Sequence, residues 1–174
     1  MSGITFWLSA AGSFLSEKLV NGPLNFLVRR LYPLKKVEDR IKIDLIGTYP
    51  IDFNFGIDVP IITVHFRISN YSFIDIDLEK ADVQLDVVQP LLKGQLNVSP
   101  TNSRIRCRSE SNFDFSHLGL DPNQKDLIEK WVQGSLLRDL RIHIDAHFKS
   151  KMGGFSKRVD LQCYAPCEIT KKNK

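Results

Sequence analysis

The sequence predicts a mainly β protein: an antiparallel β-sandwich with one covering helix at about residues 122–137 and an amphipathic helical segment at the N-terminus. Three observations predict this. From Arg40 onward, apolar and polar residues alternate with a period of two in run after run. A single stretch after Asp121 shows a helical period instead, and residues 1–31 show another that is almost free of acids. The expected division is a docking segment at 1–37, the sandwich at 38–169 and a polar tail at 170–174.

The N-terminal segment comes first. Residues 1–16 carry no charge, and Glu17-Lys18 interrupt them. Such a stretch is shorter than the roughly 20 apolar residues that cross a bilayer. No basic residue precedes it and apolar residues continue well beyond it, so it does not read as a cleavable secretory signal. Ile4, Trp7, Leu8, Ala11, Phe14, Leu15 and Leu19 recur at helical spacing, with Thr5, Ser9, Gly12, Ser13 and Ser16 opposite. Asn21-Gly22-Pro23 breaks that helix. A second stripe follows in Leu24, Leu27, Val28 and Leu31, beside Arg29 and Arg30, until Pro33 ends it ahead of Lys35-Lys36.

The strands come next. Ile41, Ile43 and Leu45 alternate with Lys42 and Asp44, and Ile62, Val64, Phe66 and Ile68 with Thr63, His65, Arg67 and Ser69. Ile74, Ile76 and Leu78 form a further run, and Val83, Leu85 and Val87 another. Ile105 and Cys107 alternate with Arg104, Arg106 and Arg108. Two last runs are Ile142, Ile144, Ala146 and Phe148, then Val159, Leu161 and Cys163. Each reads as a strand with one face in a core and one in water. Turn-rich pieces at Ser69-Asn70, Pro100–Ser103 and Gly153-Gly154 separate them. In the helix, Asp121 is the expected cap, Pro122 suits the first turn and Gln124 completes a capping-box spacing. Leu127, Ile128, Trp131, Val132 and Leu136 form its stripe.

Charge separates the two parts. Residues 1–37 hold Lys18, Arg29, Arg30, Lys35 and Lys36 against Glu17, which accounts for the whole formal net charge of +4. The other 137 residues balance 19 basic against 19 acidic side chains. A basic excess confined to an apolar leader points to a membrane surface or a docking partner, not to a nucleic-acid footprint spread over the domain. The three cysteines, Cys107, Cys163 and Cys167, are odd in number and have no close CxxC spacing, which argues against a disulfide framework and against a zinc knuckle.

Other chemistry finds little purchase. His143, Asp145 and His147 share the polar face of one strand, where alternate residues stand about 6.6 Å apart. That suits a solvated face better than a shared metal. His65 and His117 stand alone in the sequence. There is no GxSxG elbow and no phosphate loop. No catalytic residue, metal site, cofactor or small-molecule substrate is expected. The sharpest feature of the domain is Arg104, Arg106 and Arg108, a basic ridge if one strand carries all three. It would bind an anion such as a phosphate, unless acids on neighbouring strands take up the charge.

The order of these elements resembles the late-embryogenesis-abundant group 2 family, or WHy domain, over about residues 38–169. The resemblance lies in Val64–Asn70 followed at once by Ile74–Leu78, then a glycine-containing hairpin at Lys93-Gly94-Gln95-Leu96, then a helix at Asp121–Leu137 ahead of a final hairpin. The family commonly has Pro after the Asn, where this chain has Tyr71. The resemblance implies a fibronectin- or immunoglobulin-like sandwich without enzymatic activity, often tethered to a membrane at its N-terminus.

The functional expectation is therefore a non-enzymatic sandwich held at an intracellular membrane surface. Its docking residues are Ile4, Trp7, Leu8, Phe14, Leu15, Leu19, Leu24, Leu27, Val28, Arg29, Arg30, Leu31, Lys35 and Lys36. A second reading makes the chain an accessory subunit whose N-terminal helices enter a groove on a protein partner. A third makes it a nucleic-acid module using the arginine ridge, which the neutral domain disfavours.

Overall fold

The computed structural model describes residues 32–47, 49–54, 61–86, 90–99, 101–119, 121–132, 140–163 and 168–170. In chain order its elements are α1 (Leu34–Glu38), β1 (Ile41–Leu45), β2 (Ile51–Asn54), β3 (Ile61–Asn70), β4 (Ile76–Asp86), β5 (Pro90–Asn97), β6 (Arg104–Ile105), β7 (Ser109–Leu118), α2 (Pro122–Val132), β8 (Leu140–Ser150), β9 (Gly153–Cys163) and β10 (Glu168–Thr170).

These strands form two sheets. In the first, β3 is central: β7 pairs along its whole length on one side. On the other side β1 and β2 lie end to end, opposite Phe66–Asn70 and Ile61–Val64 respectively. In the second, β4 is flanked on one side by β5 and β6 and on the other by β8, with β9 beyond. The pairs are antiparallel except one: β10 joins β2 in parallel, Glu168 opposite Asp52. The antiparallel sandwich stands, and β10 adds a strand that the sequence did not reveal, because three residues are too few to show a period.

The core lies where the alternating apolar faces meet. Ile62, Val64, Phe66 and Ile68 of β3 join Ile76, Leu78, Ala81, Val83 and Leu85 of β4 and Ile142, Ile144, Ala146 and Phe148 of β8 in one cluster, none more than 1% exposed. Each large aliphatic or aromatic side chain so buried contributes roughly 1.5–3 kcal/mol. Phe66 stacks on Phe113 and Phe148 on Phe155, with ring centroids 5.8 Å and 5.1 Å apart.

Several expected boundaries move. The runs at 74–79 and 83–87 are not two strands but belong largely to the single strand β4. Leu78 pairs with Phe148 and Lys80 with His147, so Glu79 is an extra residue. This bulge shifts the phase by one, which lets Leu78 and Ala81 both point inward although three positions apart. Ile74 precedes the strand in the 71–75 connection and is still buried. Gly94 is not in a hairpin turn; it sits inside β5 opposite Val83. Gly153-Gly154 opens β9, and the turn before it is Lys151-Met152.

The helices differ from expectation as well. Asp121 and Gln124 form the capping box: Gln124 N donates to Asp121 Oδ1 at 2.8 Å and Asp121 N to Gln124 Oε1 at 3.0 Å. The described part of the helix ends at Val132, and the expected end near Leu137 lies outside the described residues. Ahead of the sandwich, Pro33 precedes α1, and the stripe it was expected to end lies outside the described residues. Val37 is fully buried in the core, and Tyr32 and Leu34 pack against it. The Tyr32 ring meets Phe73 edge-on at 4.3 Å. Lys157 Nζ donates to the Glu38 carbonyl at 3.3 Å, fixing α1 beside β9. The last residues of the expected docking segment are thus part of the domain's own packing.

Candidate functional site

The period of two that builds the core also lines up polar residues on the outer face of each sheet. On the first sheet, His65 of β3 stands between its neighbours. Its Nδ1 is 2.7 Å from Asp114 Oδ1 on β7, and its Nε2 is 2.9 Å from Asp52 Oδ2 on β2. Beside it, Arg67 donates to Glu110 at 3.0 Å, Ser69 Oγ to the same carboxylate at 3.1 Å, and Thr63 bonds Ser116.

The second sheet repeats the arrangement. His143 of β8 has Nδ1 2.5 Å from Asp160 Oδ1 on β9 and Nε2 3.0 Å from Asp86 Oδ2 on β4. Arg158 grips Asp145 through Nε and Nη2, and Gln95 donates to Asp82 at 2.7 Å. These groups floor an open polar cleft of about 520 Å³ lined by Asp82, Gln84, Lys93, His143, Arg158 and Asp160 among others.

Electrostatics follow from these contacts. Burial pulls the His65 pKa down, but hydrogen bonds to Asp114 and Asp52 outweigh it and hold the ring above its ordinary value. For His143 the hydrogen bond to Asp160 outweighs the desolvation that opposes it, and the Asp86 charge adds to the rise, so its pKa is also raised. The Gln95 hydrogen bond keeps the Asp82 carboxyl below the usual range. Burial raises the Cys107 thiol, away from the lowered pKa of a reactive thiol, and Cys163 is a buried free cysteine.

His65 was isolated in the sequence and is bridged in the fold; its partners lie 13 and 49 positions away. His147 lies between Ser156 and Asp82, with Nδ1 2.9 Å from Ser156 Oγ and Nε2 3.4 Å from Asp82 Oδ2. This row lies across β9, β8 and β4, and the β8 backbone there is paired on both sides. Among the described residues, no group of three His, Cys, Asp or Glu is placed to hold a metal ion. In the two histidine bridges the carboxylates flank opposite ring nitrogens and do not converge.

The arginine ridge is not formed as one strand. Arg104 is in β6, which ends at Ile105; Arg106 follows it, and Arg108 sits in the turn before β7 with φ 54°. Arg104 is paired with Asp75. Asp75 also accepts from Cys107 N at 2.8 Å and so shapes this turn. Of the expected docking residues, Lys35 is exposed and pairs with Glu38 and Asp39, and Lys36 lies 5.8 Å over the Tyr32 ring. Ile4, Trp7, Leu8, Phe14, Leu15, Leu19, Leu24, Leu27, Val28, Arg29, Arg30 and Leu31 lie outside the described residues. No helix among the described residues is long and apolar enough to cross a membrane.

The Asn70 that ends β3 proves to be a corner post. Its Nδ2 lies within hydrogen-bonding distance of the carbonyls of Ile74, Ile105 and Arg106, at 2.8, 3.2 and 3.1 Å. Its Oδ1 accepts from Ser72 N and Oγ at 3.0 and 2.7 Å. With Asn70 fully buried, this one amide ties the crossing between the sheets to the β6–β7 turn.

No protein-family model and no curated protein matches the chain. Among solved structures it is similar to an Arabidopsis thaliana protein determined in solution, with 10% identity, 76% of this chain and 81% of that chain covered, and a TM-score of 0.51. An X-ray structure of a structural-genomics target is similar at 9% identity over 74% of this chain and 88% of that one, TM-score 0.48. A candidate late-embryogenesis-abundant protein is similar at 10% identity over 91% and 88%, TM-score 0.42. The Arabidopsis likeness shows a shared fold, and the chain is a β-sandwich.

Proposed function

We propose that the chain is a non-catalytic sandwich of the late-embryogenesis-abundant group 2 kind, brought to a membrane surface by its N-terminal segment. The observation that carries this is the partition of charge. The basic excess lies wholly in residues 1–37, whereas the rest of the chain is neutral. Ion pairs such as Asp75–Arg104, Glu110–Arg67 and Asp145–Arg158 use charges of the sandwich on one another. Attraction to an anionic surface then falls to the leader, at about 1 kcal/mol per basic residue near the lipid, added to insertion of its apolar stripe. Asn70, followed by a second apolar strand, supports the family assignment.

Flotation with vesicles tests this on the full chain and on a full-length variant carrying Trp7→Glu, Leu8→Glu, Phe14→Glu and Leu15→Glu. The reading expects the intact chain to float, more with anionic than with neutral lipid, and the variant to stay behind. An intact chain that floats with neither lipid overturns it and favours a protein groove for the same helices.

A further inference from the structure

We infer that His65 and His143 are a matched pair of protonation clasps, one in each sheet, which hold neighbouring strands together while the imidazole is charged and release them when it is neutral. In both cases a histidine on one strand has each ring nitrogen within hydrogen-bonding distance of a carboxylate oxygen on a different flanking strand. An ionised carboxylate only accepts, so both nitrogens must carry hydrogen for both bonds to exist, and a ring with two N–H groups is an imidazolium. A neutral ring leaves one nitrogen lone pair facing a carboxylate. Each clasp then loses one of its two strand contacts: β2 or β7 for His65, β4 or β9 for His143.

The surroundings on both sides favour this assignment. Around His65 stand Asp52 of β2, Asp114 of β7 and Arg67 two positions along β3, with Asp44 of β1 opposite Arg67 and Glu168 of β10 opposite Asp52 in register. Around His143 stand Asp86, Asp82 and Gln84 of β4, Asp160 and Arg158 of β9, Arg141 and Asp145 of β8 and Lys93 of β5. Arg158 is engaged by Asp145, and Asp82 by Gln95, so the two carboxylates nearest His143 remain directed at its ring. Folding therefore raises both histidine pKa values, and the sign follows. The clasps stabilise the sandwich fully below the unfolded histidine pKa, about 6.5. That contribution is lost as pH rises through the higher folded-state value. The strand that loosens is β2 or β7 beside His65, and β4 or β9 beside His143.

Ring nitrogen chemical shifts of the full-length protein, followed by NMR across pH, test the inference. At pH 6.5 both nitrogens of His65 and His143 should read as protonated, with midpoints above about 6.5. Asp160→Asn should lower the His143 midpoint by about one unit or more while leaving that of His65 in place, and Asp114→Asn should do the reverse. Amide-exchange protection of β4 or of β9, corrected for intrinsic rates, should fall as pH passes the His143 midpoint, and His143→Gln should abolish that step. Midpoints at or below the ordinary value, or protection in both β4 and β9 indifferent to pH in the wild type, overturn the proposal.

Discussion

Arg104 holds Asp75 with two nitrogens: Nε at 3.1 Å and Nη2 at 2.7 Å, both on Oδ2. The other oxygen of that carboxylate accepts from the Cys107 amide at 2.8 Å. Asp75 therefore shapes the chain at the point where β6 gives way to the turn carrying Arg108. The two halves of this contact differ in weight. Arg104 is more than half exposed, at 56%, so its ion pair is screened by water.

Asp75→Ala is accordingly expected to cost about 1–3 kcal/mol, through the lost charge-assisted bond to the half-buried Cys107 amide. Arg104→Ala should cost less than about 1 kcal/mol. Urea denaturation of the two variants checks the order. Equal costs would place the weight on the ion pair instead.

Asn70→Ala strips hydrogen bonds from a fully buried corner: the Ile105 carbonyl loses its amide donor and the Ser72 backbone N–H its acceptor, whereas the Ile74 and Arg106 carbonyls keep Ser72 Oγ and Ser109 Oγ. A buried group left unpaired costs about 1–3 kcal/mol. The loss should exceed that of Asp75→Ala, and Asn70→Asp should not restore it, because a carboxylate cannot donate to those carbonyls. Denaturant midpoints of the three variants decide this.

Gly94 of β5 lies under an aromatic ring. A Cβ there would stand 2.7 Å from Phe115 Cζ and 3.0 Å from Cε2, and Phe115 is only 3% exposed. Gly94→Ala should therefore destabilise by about 1–3 kcal/mol, as overpacking does. Pairing it with Phe115→Leu should recover part of the loss, and a thermal-melt double-mutant cycle measures the coupling.

Val37 is fully buried at the end of α1. Val37→Ala should cost about 2 kcal/mol from lost apolar burial and the space left behind. If instead the melting temperature is unchanged, the turn that precedes β1 belongs to the leader and not to the domain.

The period of two made β1, β3, β8 and β9 legible, since each keeps its phase from end to end. It failed where the phase slips or the run is short. Glu79 bulges out of β4 and makes one strand look like two. β6 has two residues and β10 three, below what alternation reveals. Arg104, Arg106 and Arg108 alternate as a strand would, yet the chain turns at Arg108, because Asp75 from far back in sequence binds the Cys107 amide. The histidine bridges were illegible for a related reason. His65 and His143 each join carboxylates on two other strands, so their partners appear only once the register is known. The capping box of α2 was legible because all its partners are local.

Contact between the leader and lipid can be read from tryptophan fluorescence. The chain has two tryptophans, Trp7 and Trp131, so Trp131→Phe leaves Trp7 as the sole reporter in an otherwise intact protein. With anionic vesicles carrying brominated acyl chains, the account predicts that Trp7 emission shifts to the blue and is quenched. Emission that neither shifts nor quenches at saturating lipid would contradict it.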